Sequence, residues 1–433
     1  MSHSWIVILV KKEFPTLQPL WLAVFADVLG FTLIVPLLKQ IEIDFNATEI
    51  EVALVLSLNA LFGFFFGPIF GKVSDKHGRK PLLLVAQAGT MGSFLMFAFS
   101  NSLFMIYLSR ILDGCFGGNF PIAKAIISDI VPPKDRSVQM TNVGVAHNLA
   151  NVIGPSMSGF LYTWSGGIIG PGLLGTVLSL FTIILTALKL EETAPSKTGK
   201  TVFGDLSKIE AAGNGIIPER KIRKNETAMI LLFQWGTHTL SFFIFMSSLS
   251  LFAGERLGLS PQDIGLLLMV TGLFQLFVRY VLFYPMLKRF GERRMATLGL
   301  AIFPVVFFLT GFVTVEWQLV LILLGMSFSA SSVRGVLTGF LSRSVDPRDQ
   351  GKIQGLNTSL DTLAQIIGPL LSGMTLMFLP IMAYGILPAL VAIIPLLVML
   401  KPLEFSHEKM LMDSRDEEAP DDEMSSNKLM ADS

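Results

Sequence analysis

Twelve stretches of this chain are apolar for about the length of one membrane crossing, and no other feature of the sequence restricts the fold so strongly. They fall at about 17–39, 50–71, 81–100, 103–130, 139–163 and 168–189, and, after a polar interval, at about 228–252, 263–287, 294–314, 317–342, 353–377 and 379–400. A hydrocarbon core of about 30 Å takes roughly 20 apolar residues in a helix. Hydrocarbon also demands that every backbone polar group be satisfied within the segment, which a helix does. The expected class is therefore all-α and integral to the membrane, with twelve transmembrane helices. Only 15% of the residues are charged, against roughly a quarter in soluble domains.

Charge placement sets the predicted orientation. The loops after the even-numbered spans carry Lys72, Lys76, Arg79, Lys80, Lys134, Arg136, Lys288, Arg289, Arg293, Arg294, Arg343, Arg348 and Lys352. The opposite loops have only Lys39 and Arg256. Cytoplasmic loops are the ones enriched in Lys and Arg, so both termini are expected in the cytoplasm. The predicted organisation is a cytoplasmic N-terminus (1–16), a six-helix bundle (17–189), a cytoplasmic linker (190–227), a second six-helix bundle (228–401) and an acidic tail (402–433). The tail, with Asp416-Glu417-Glu418 and Asp421-Asp422-Glu423, has the composition of a disordered segment. The apolar stretch Trp5–Val10 is too short for a secretory signal.

The second half repeats the first. Gly154-Pro155-Ser156-Met157-Ser158-Gly159 in span 5 is matched by Gly368-Pro369-Leu370-Leu371-Ser372-Gly373 in span 11, 214 residues later. The same offset carries Pro133 and Asp135 onto Pro347 and Asp349. Gly78-Arg79-Lys80 after span 2 has a decayed counterpart, Gly291-Glu292-Arg293-Arg294, after span 8. Two pseudo-symmetric six-helix bundles are the arrangement in which a solute site forms near the bilayer midplane between halves that rock.

Several motifs fit that expectation. The loop after span 2 reads Gly71-Lys72-Val73-Ser74-Asp75-Lys76-His77-Gly78-Arg79-Lys80. Gly71 permits close helix approach, Asp75 can cap or ion-pair at a helix end, and Gly78 allows a left-handed turn. The loop resembles the signature of the major facilitator superfamily, G-x-x-x-D-R-x-G-R-R/K, with Lys76 in the usual Arg position. Arg110-Ile111-Leu112-Asp113-Gly114 in span 4 is similar to the superfamily's R-x-x-Q-G, with Asp113 in place of Gln. Ser128-Asp129-Ile130, Asp135-Arg136, Glu255-Arg256, Asp263-Ile264-Gly265 and Gln350-Gly351-Lys352-Ile353-Gln354-Gly355 resemble the tetracycline/proton antiporters. Against the antiporter motif of span 5, Gly154, Pro155 and Gly159 match, while Thr141, Ala150 and Ser158 replace glycines with other small residues. Gly154-Pro155 and Gly368-Pro369 are expected to kink their helices, with Gly159 and Gly373 allowing close packing. Gly63, Gly67 and Gly71 form a ladder expected to pack span 2 on a neighbour. The resemblance implies a twelve-span transporter of the drug/proton antiporter branch, with Gly71, Asp75, Gly78, Arg79, Lys80, Asp129 and Arg136 in signature and gating positions.

Ionisable residues within spans are the sharpest functional signal. A charge at the bilayer centre costs roughly 2.5–3.5 kcal/mol on insertion scales, so such groups face a cavity or a partner. The candidates are Asp27 (span 1), Arg110 and Asp113 (span 4), Arg279 (span 8), Arg334 (span 10) and Asp361 (span 11), with His147 and His238 as further titratable groups. Arg110 and Asp113, three apart, share a helix face and can pair. A carboxylate binds its proton less tightly beside a cation and more tightly when desolvated, so Asp27 or Asp113, tuned by Arg110, is the expected proton carrier. An acidic residue near Asp27 is what the antiporter resemblance implies. The expected solute cavity comprises Asp27, Asn59, Arg110, Asn119, His147, His238, Arg334 and Asp361. Arg279 reads as structural, and the two histidines as donors or acceptors of interhelical hydrogen bonds.

Other chemistries find no support in the residues. With a single cysteine, Cys115, and scattered histidines, neither a disulfide framework nor a metal site is expected. Gly199-Lys200-Thr201 resembles the end of a phosphate loop, but the first glycine would fall on Ala194 and no strand precedes it. No cofactor, no nucleic-acid partner and no enzymatic activity are expected. The expected partners are a small-molecule solute, protons and the lipid bilayer of a cell or organelle membrane, and a monomer suffices for the fold. The expected function is proton-coupled export of a small organic solute. A facilitator or proton symporter importing a metabolite, and a non-transporting receptor or adaptor, are the alternatives. Asn46-Ala47-Thr48 is a glycosylation sequon in a loop of only about ten residues.

Overall fold

The computed structural model describes residues 17–198, 225–345 and 349–400. The N-terminus, most of the linker with Gly199-Lys200-Thr201, Pro347-Arg348, the acidic tail and the side chain of Thr141 lie outside the described residues.

Ten helices among the described residues are long and apolar enough to cross a membrane: Gln18–Phe45, Glu49–His77, Arg79–Ala98, Ile169–Lys189, Glu226–Leu257, Pro261–Phe290, Glu292–Thr310, Glu316–Arg343, Gln350–Phe378 and Ile381–Met399. They are spans 1, 2, 3, 6, 7, 8, 9, 10, 11 and 12. Span 5 (Pro133–Ser165) is the longest helix but more polar. Span 4 is two pieces, Leu103–Phe116 and Asn119–Ile130, separated by Gly117-Gly118. The expectation of one continuous helix there fails because the glycine pair gives the chain a low-cost place to break. The exterior is apolar, with Leu188, Phe104 and Phe378 more than 70% exposed, as a surface bathed in hydrocarbon requires.

Helix ends repeat with the pseudo-symmetry. Span 2 starts at a capping box, Thr48 with Glu51, and span 8 at another, Ser260 with Asp263. Each box satisfies backbone N–H groups that the first turn leaves without helical partners. The turns into spans 3 and 9 pass through Gly78 (φ 113°) and Gly291 (φ 79°), a region that side chains with a Cβ avoid.

Contacts between helices follow the repeat as well. Span 1 packs on 5 and 6 as span 7 packs on 11 and 12, while 3 lies on 6 as 9 lies on 12. The halves meet along two seams, spans 2 with 11 and 5 with 8. The Gly-Pro segments build both the bundles and the seams. A Cβ on Gly154 would strike Thr32 and Leu29 of span 1, and one on Gly368 would strike Phe243 of span 7, the symmetric neighbour. Gly159 abuts Pro261 and Gln262 of span 8, and Gly373 abuts Glu49, Ile50 and Ala53 of span 2. Both helices run unbroken through Pro155 and Pro369. The segments therefore act as contact surfaces facing one neighbour in each half.

Among the described residues, the apolar cluster shared by the two halves lies at one end. One apolar cluster draws Leu37, Ile41, Val52 and Ile106 from the first half together with Phe245, Phe252, Phe307 and Tyr384 from the second. It lies at the end away from the basic loops. Lys39 pairs there with Glu255 at 2.7 Å, and Ser250 donates to the Pro36 carbonyl at 3.0 Å. At the basic-loop end the buried apolar residues form two separate clusters, one within each half. Along span 2 the ladder behaves accordingly. Gly63 lies near the Gly114 carbonyl of span 4, but a Cβ on Gly67 or Gly71 would meet nothing within 4 Å. The expected close packing of Gly71 is absent because this end of the seam is open.

The signature loop is a dense polar knot. Arg79 is buried, donates from Nε to Asp129 at 3.0 Å and from Nη1 to Ser74 at 2.7 Å, and pairs with Asp75. Glu192, at the end of span 6, accepts the backbone N–H groups of Arg79 and Lys80 at the start of span 3 and those of Thr193 and Ala194. Lys80 donates to the Ala187 carbonyl, and Arg136 donates to the carbonyls of Ser128 and Val131 at the end of span 4. In the second half the same pairing recurs with its signs exchanged: Glu292 follows Gly291 where Arg79 follows Gly78, and it binds Arg343, 214 residues after Asp129. The first pair is nearly enclosed, with side chains 9% and 13% exposed, and the second is open at 39% and 53%. Thermal unfolding in detergent should therefore distinguish them: Arg79→Ala is expected to cost about 3 kcal/mol by stranding a buried carboxylate, and Glu292→Ala no more than about 1 kcal/mol.

Candidate functional site

A cavity of about 860 Å³ lies between the halves, walled by spans 1, 2, 5, 7, 8, 10 and 11. Its charged side chains are divided between the two sides: Asp27 stands on the first half, and Arg279 and Arg334 on the second. Phe31, Trp235, Phe242 and Phe283 supply aromatic faces, and Asn59, Asn148, Asn151 and Gln275 supply amides. His147 also faces this space.

Behind the first-half wall is a buried polar network. Asn119, at the start of the second piece of span 4, donates to Asp27 Oδ1 at 2.9 Å. The Gly117-Gly118 break is what brings Asn119 to the head of a helix at this depth. Asn59 on span 2, itself at the cavity wall, donates to Asp113 Oδ2 at 2.9 Å. Arg110 Nη1 reaches the same oxygen at 3.4 Å and the Gly30 carbonyl at 3.3 Å. The Arg110 guanidinium lies 5.2 Å from the Phe97 ring centroid and 5.9 Å from that of Phe94. It is 1% exposed, so one carboxylate, one carbonyl, the Ser109 hydroxyl and two aromatic faces replace its water. A Cβ on Gly30 would stand 3.2 Å from Asp113 Oδ2, so a glycine on span 1 gives the carboxylate its room. Asp27 and Asp113 also sense each other's charge.

The second-half wall is organised around an indole. Trp235 Nε1 donates to Asp361 at 2.8 Å, and the Arg334 guanidinium lies 5.8 Å from the Trp235 ring and 5.5 Å from Phe242. Arg334 and Arg279 have no carboxylate partner within the ion-pair distance among the described residues. Arg279 sits in a π-helical segment, Val278–Leu282, that interrupts span 8, a distortion common where helices serve function.

The expected cavity residues thus divide into three groups. Asp27, Asn59, His147 and Arg334 line the space. Arg110 and Asn119, with Asp113, form the layer behind Asp27, and Asp361 is held by Trp235 beside the second wall. His238 stands apart. It is 1% exposed, packs its ring 4.7 Å from Phe303 of span 9, and neither ring nitrogen has a hydrogen-bond partner among the described residues. The expected interhelical hydrogen bond is absent there, and His147 likewise makes only a ring contact with Phe120. Arg279, expected to be structural, faces the cavity.

Three contributors escaped the sequence reading. Lys124, on span 4, lies 4.1 Å from the Phe120 ring centroid and acts electrostatically on His147, as does Arg334. It sits in an apolar run and could have been found by scanning that run for single charges. Trp235 carries no charge and gave no signal. Glu192 lies 113 residues from Arg79, whose N–H it accepts, and nothing local marks it.

Two halves built of membrane-length helices around a central cavity with charged, amide and aromatic lining are the architecture of a multi-pass membrane transporter. The chain belongs to the Major Facilitator Superfamily, whose profile matches residues 20–249 and 231–418. Among curated proteins it is 28% identical over 355 residues to the class H tetracycline resistance protein of Pasteurella multocida, covering 80% of this chain and 85% of that one. It is 30% identical over 363 residues to the class G tetracycline resistance protein of Vibrio anguillarum, with 79% and 86% covered. It is 25% identical over 357 residues to the quinolone resistance protein NorA of Staphylococcus aureus, with 82% and 88% covered. Among solved structures, the human organic anion transporter MFSD10 superposes with a TM-score of 0.64 at 22% identity, over 89% of this chain and 98% of that one. A bacterial homologue of the lysosomal transporter Spinster, inward-facing and occupied, gives 0.72 at 13% identity, over 88% and 95%.

The buried pair makes a direct prediction for stability. Arg110→Leu strands Asp113 without its cation and is expected to destabilise the detergent-solubilised protein by about 3–5 kcal/mol. Adding Asp113→Asn removes the stranded charge and keeps an acceptor for Asn59, so the double variant should unfold at a higher temperature than the single one.

Proposed function

We propose that this protein exports a small organic solute in exchange for protons, by alternating access, with Asp27 as the proton carrier and both termini in the cytoplasm. The observation that carries the reading is Asp27 itself: one carboxylate on the cavity wall, tied to Asn119 and backed by the Asp113–Arg110 pair. A group so placed exchanges protons with the cavity while the layer behind it stays dry. The excess of Lys and Arg on one set of loops supports the orientation. On that reading the structure is open to the cytoplasm and closed to the outside, ready to receive its solute from within. The names of the tetracycline and quinolone resistance relatives support a drug-like solute. The driving force is adequate: one charge crossing about 100 mV gains roughly 2.3 kcal/mol, enough for a solute gradient of about fifty-fold.

Closing the cytoplasmic end requires spans 2 and 11 to meet along their open halves. At the outer end Ser57 donates to the Ile366 carbonyl, and Gly373 abuts Ile50. Continuing that antiparallel register brings Gly67 and Gly71 to within one residue of Gly355 and Gly351. A Cβ on any of these four would meet nothing within 4 Å in the present state, so their lack of side chains has its use in the other one.

Two experiments test the reading. In proteoliposomes with an imposed pH gradient, uptake of tetracycline or a quinolone should follow the gradient and fall at least about tenfold in Asp27→Asn. Solute movement indifferent to both would remove proton antiport. Gly71→Leu should leave the unfolding temperature unchanged while overpacking the closed seam by about 1–3 kcal/mol. Transport is then expected to fall about tenfold, with the cytoplasmic end remaining accessible to thiol reagents at introduced cysteines.

A further inference from the structure

The cavity separates its charges by half: the carboxylate Asp27 on the first, the guanidiniums Arg334 and Arg279 on the second. Neither guanidinium is neutralised by an ion pair among the described residues. Asp361, the carboxylate within span 11, is engaged by the indole N–H of Trp235. Arg334 is held between aromatic rings, which fixes its position without supplying a negative charge. Charged groups at this depth call for a partner. Across the space, Asp27 has one neutral amide donor, Asn119, and no cation paired with it among the described residues. Each wall thus lacks the counter-charge that the other displays.

We infer that the solute is dipolar: a flat aromatic body with a cationic amine at one end, received by Asp27, and an acidic group at the other, received by Arg334 with Arg279 beside it. The inference rests on the proposed exchange and gives it a mechanism. The solute's ammonium takes the place of the proton on Asp27, so the two compete for one carboxylate, which antiport requires. The acidic end meets the second half, so a bound solute spans both halves and reports to each. Phe31 and Phe283 are among the aromatic side chains that line the same cavity. A solute with only an acidic group would bind best with the proton still in place and would travel with it. A solute with only an amine would leave Arg334 without a counter-charge.

The test uses three forms of one fluorescent body: norfloxacin, a quinolone with a piperazinium and a carboxylate at opposite ends; its ethyl ester, which lacks the anion; and its N-acetyl derivative, which lacks the cation. Binding to the detergent-purified full chain at fixed pH is read by ligand fluorescence, with no proton gradient. The wild type should bind norfloxacin about tenfold or more tightly than either derivative, as one lost charge-assisted contact implies. Arg334→Gln should weaken norfloxacin about tenfold and leave the ester unchanged. Asp27→Asn should weaken norfloxacin similarly and leave the N-acetyl form unchanged. Those unchanged affinities also establish that each variant is folded. The inference is overturned if the wild type binds the three forms alike, prefers a singly charged one, or binds none. The wild-type comparison needs no variant to decide it. Should that preference fail while Asp27→Asn still abolishes gradient-driven transport, proton exchange stands and the dipolar solute falls.

Discussion

A charge carried to the middle of a bilayer must be paired, hydrated or removed, and this molecule is arranged around that requirement. Arg110 is paired: Asp113, the Gly30 carbonyl and two phenylalanine rings enclose it. Asp27, Arg279 and Arg334 face the cavity into which the halves part. The helices that carry these groups are the ones the repeat brings face to face. The cavity and the charges therefore account for each other. Without the space the charges would lie in hydrocarbon with no partner.

The two halves show how far a repeated scaffold can diverge while its geometry holds. The capping boxes at Thr48 and Ser260, the turns at Gly78 and Gly291, and the double-faced glycines of spans 5 and 11 are nearly superimposable roles. The ion pair beside each of those turns has kept its place and exchanged its signs, Arg79 with Asp129 in one half and Glu292 with Arg343 in the other. Only the sum of the pair is constrained by the fold, so both polarities serve. What differs is burial: the first pair is knitted to Asp75, Ser74 and the backbone held by Glu192, while the second stands in the open.

Much of this was legible in the sequence because its causes are local or periodic. Twelve apolar runs, their polar punctuation and the 214-residue offset need no knowledge of packing. The pairing of Arg110 with Asp113 follows from helical spacing alone. The remainder depends on which surfaces face each other. Nothing in the run around His238 says that its ring meets Phe303 and not the cavity. Arg279, within span 8, reads as structural until it is seen to sit in a π-helical turn and to face the cavity. The Gly-Pro segments look like kinks in a single helix, yet their neighbours on two other helices explain them. Gly291-Glu292 looks like a decayed copy until Arg343 is seen beside it.

The central claim is that two rigid halves are sealed at one end of a charged cavity and parted at the other, and exchange those conditions in operation. Distances between spin labels on spans 2 and 11 test it most directly, with one pair near the basic loops at positions 76 and 350 and another at the opposite end at 49 and 378, after replacement of Cys115. In liposomes, two populations are expected whose inner and outer distances change in opposite senses, their balance moved by pH and by solute. A single inner distance unaffected by either, or two ends that open together, would contradict the account.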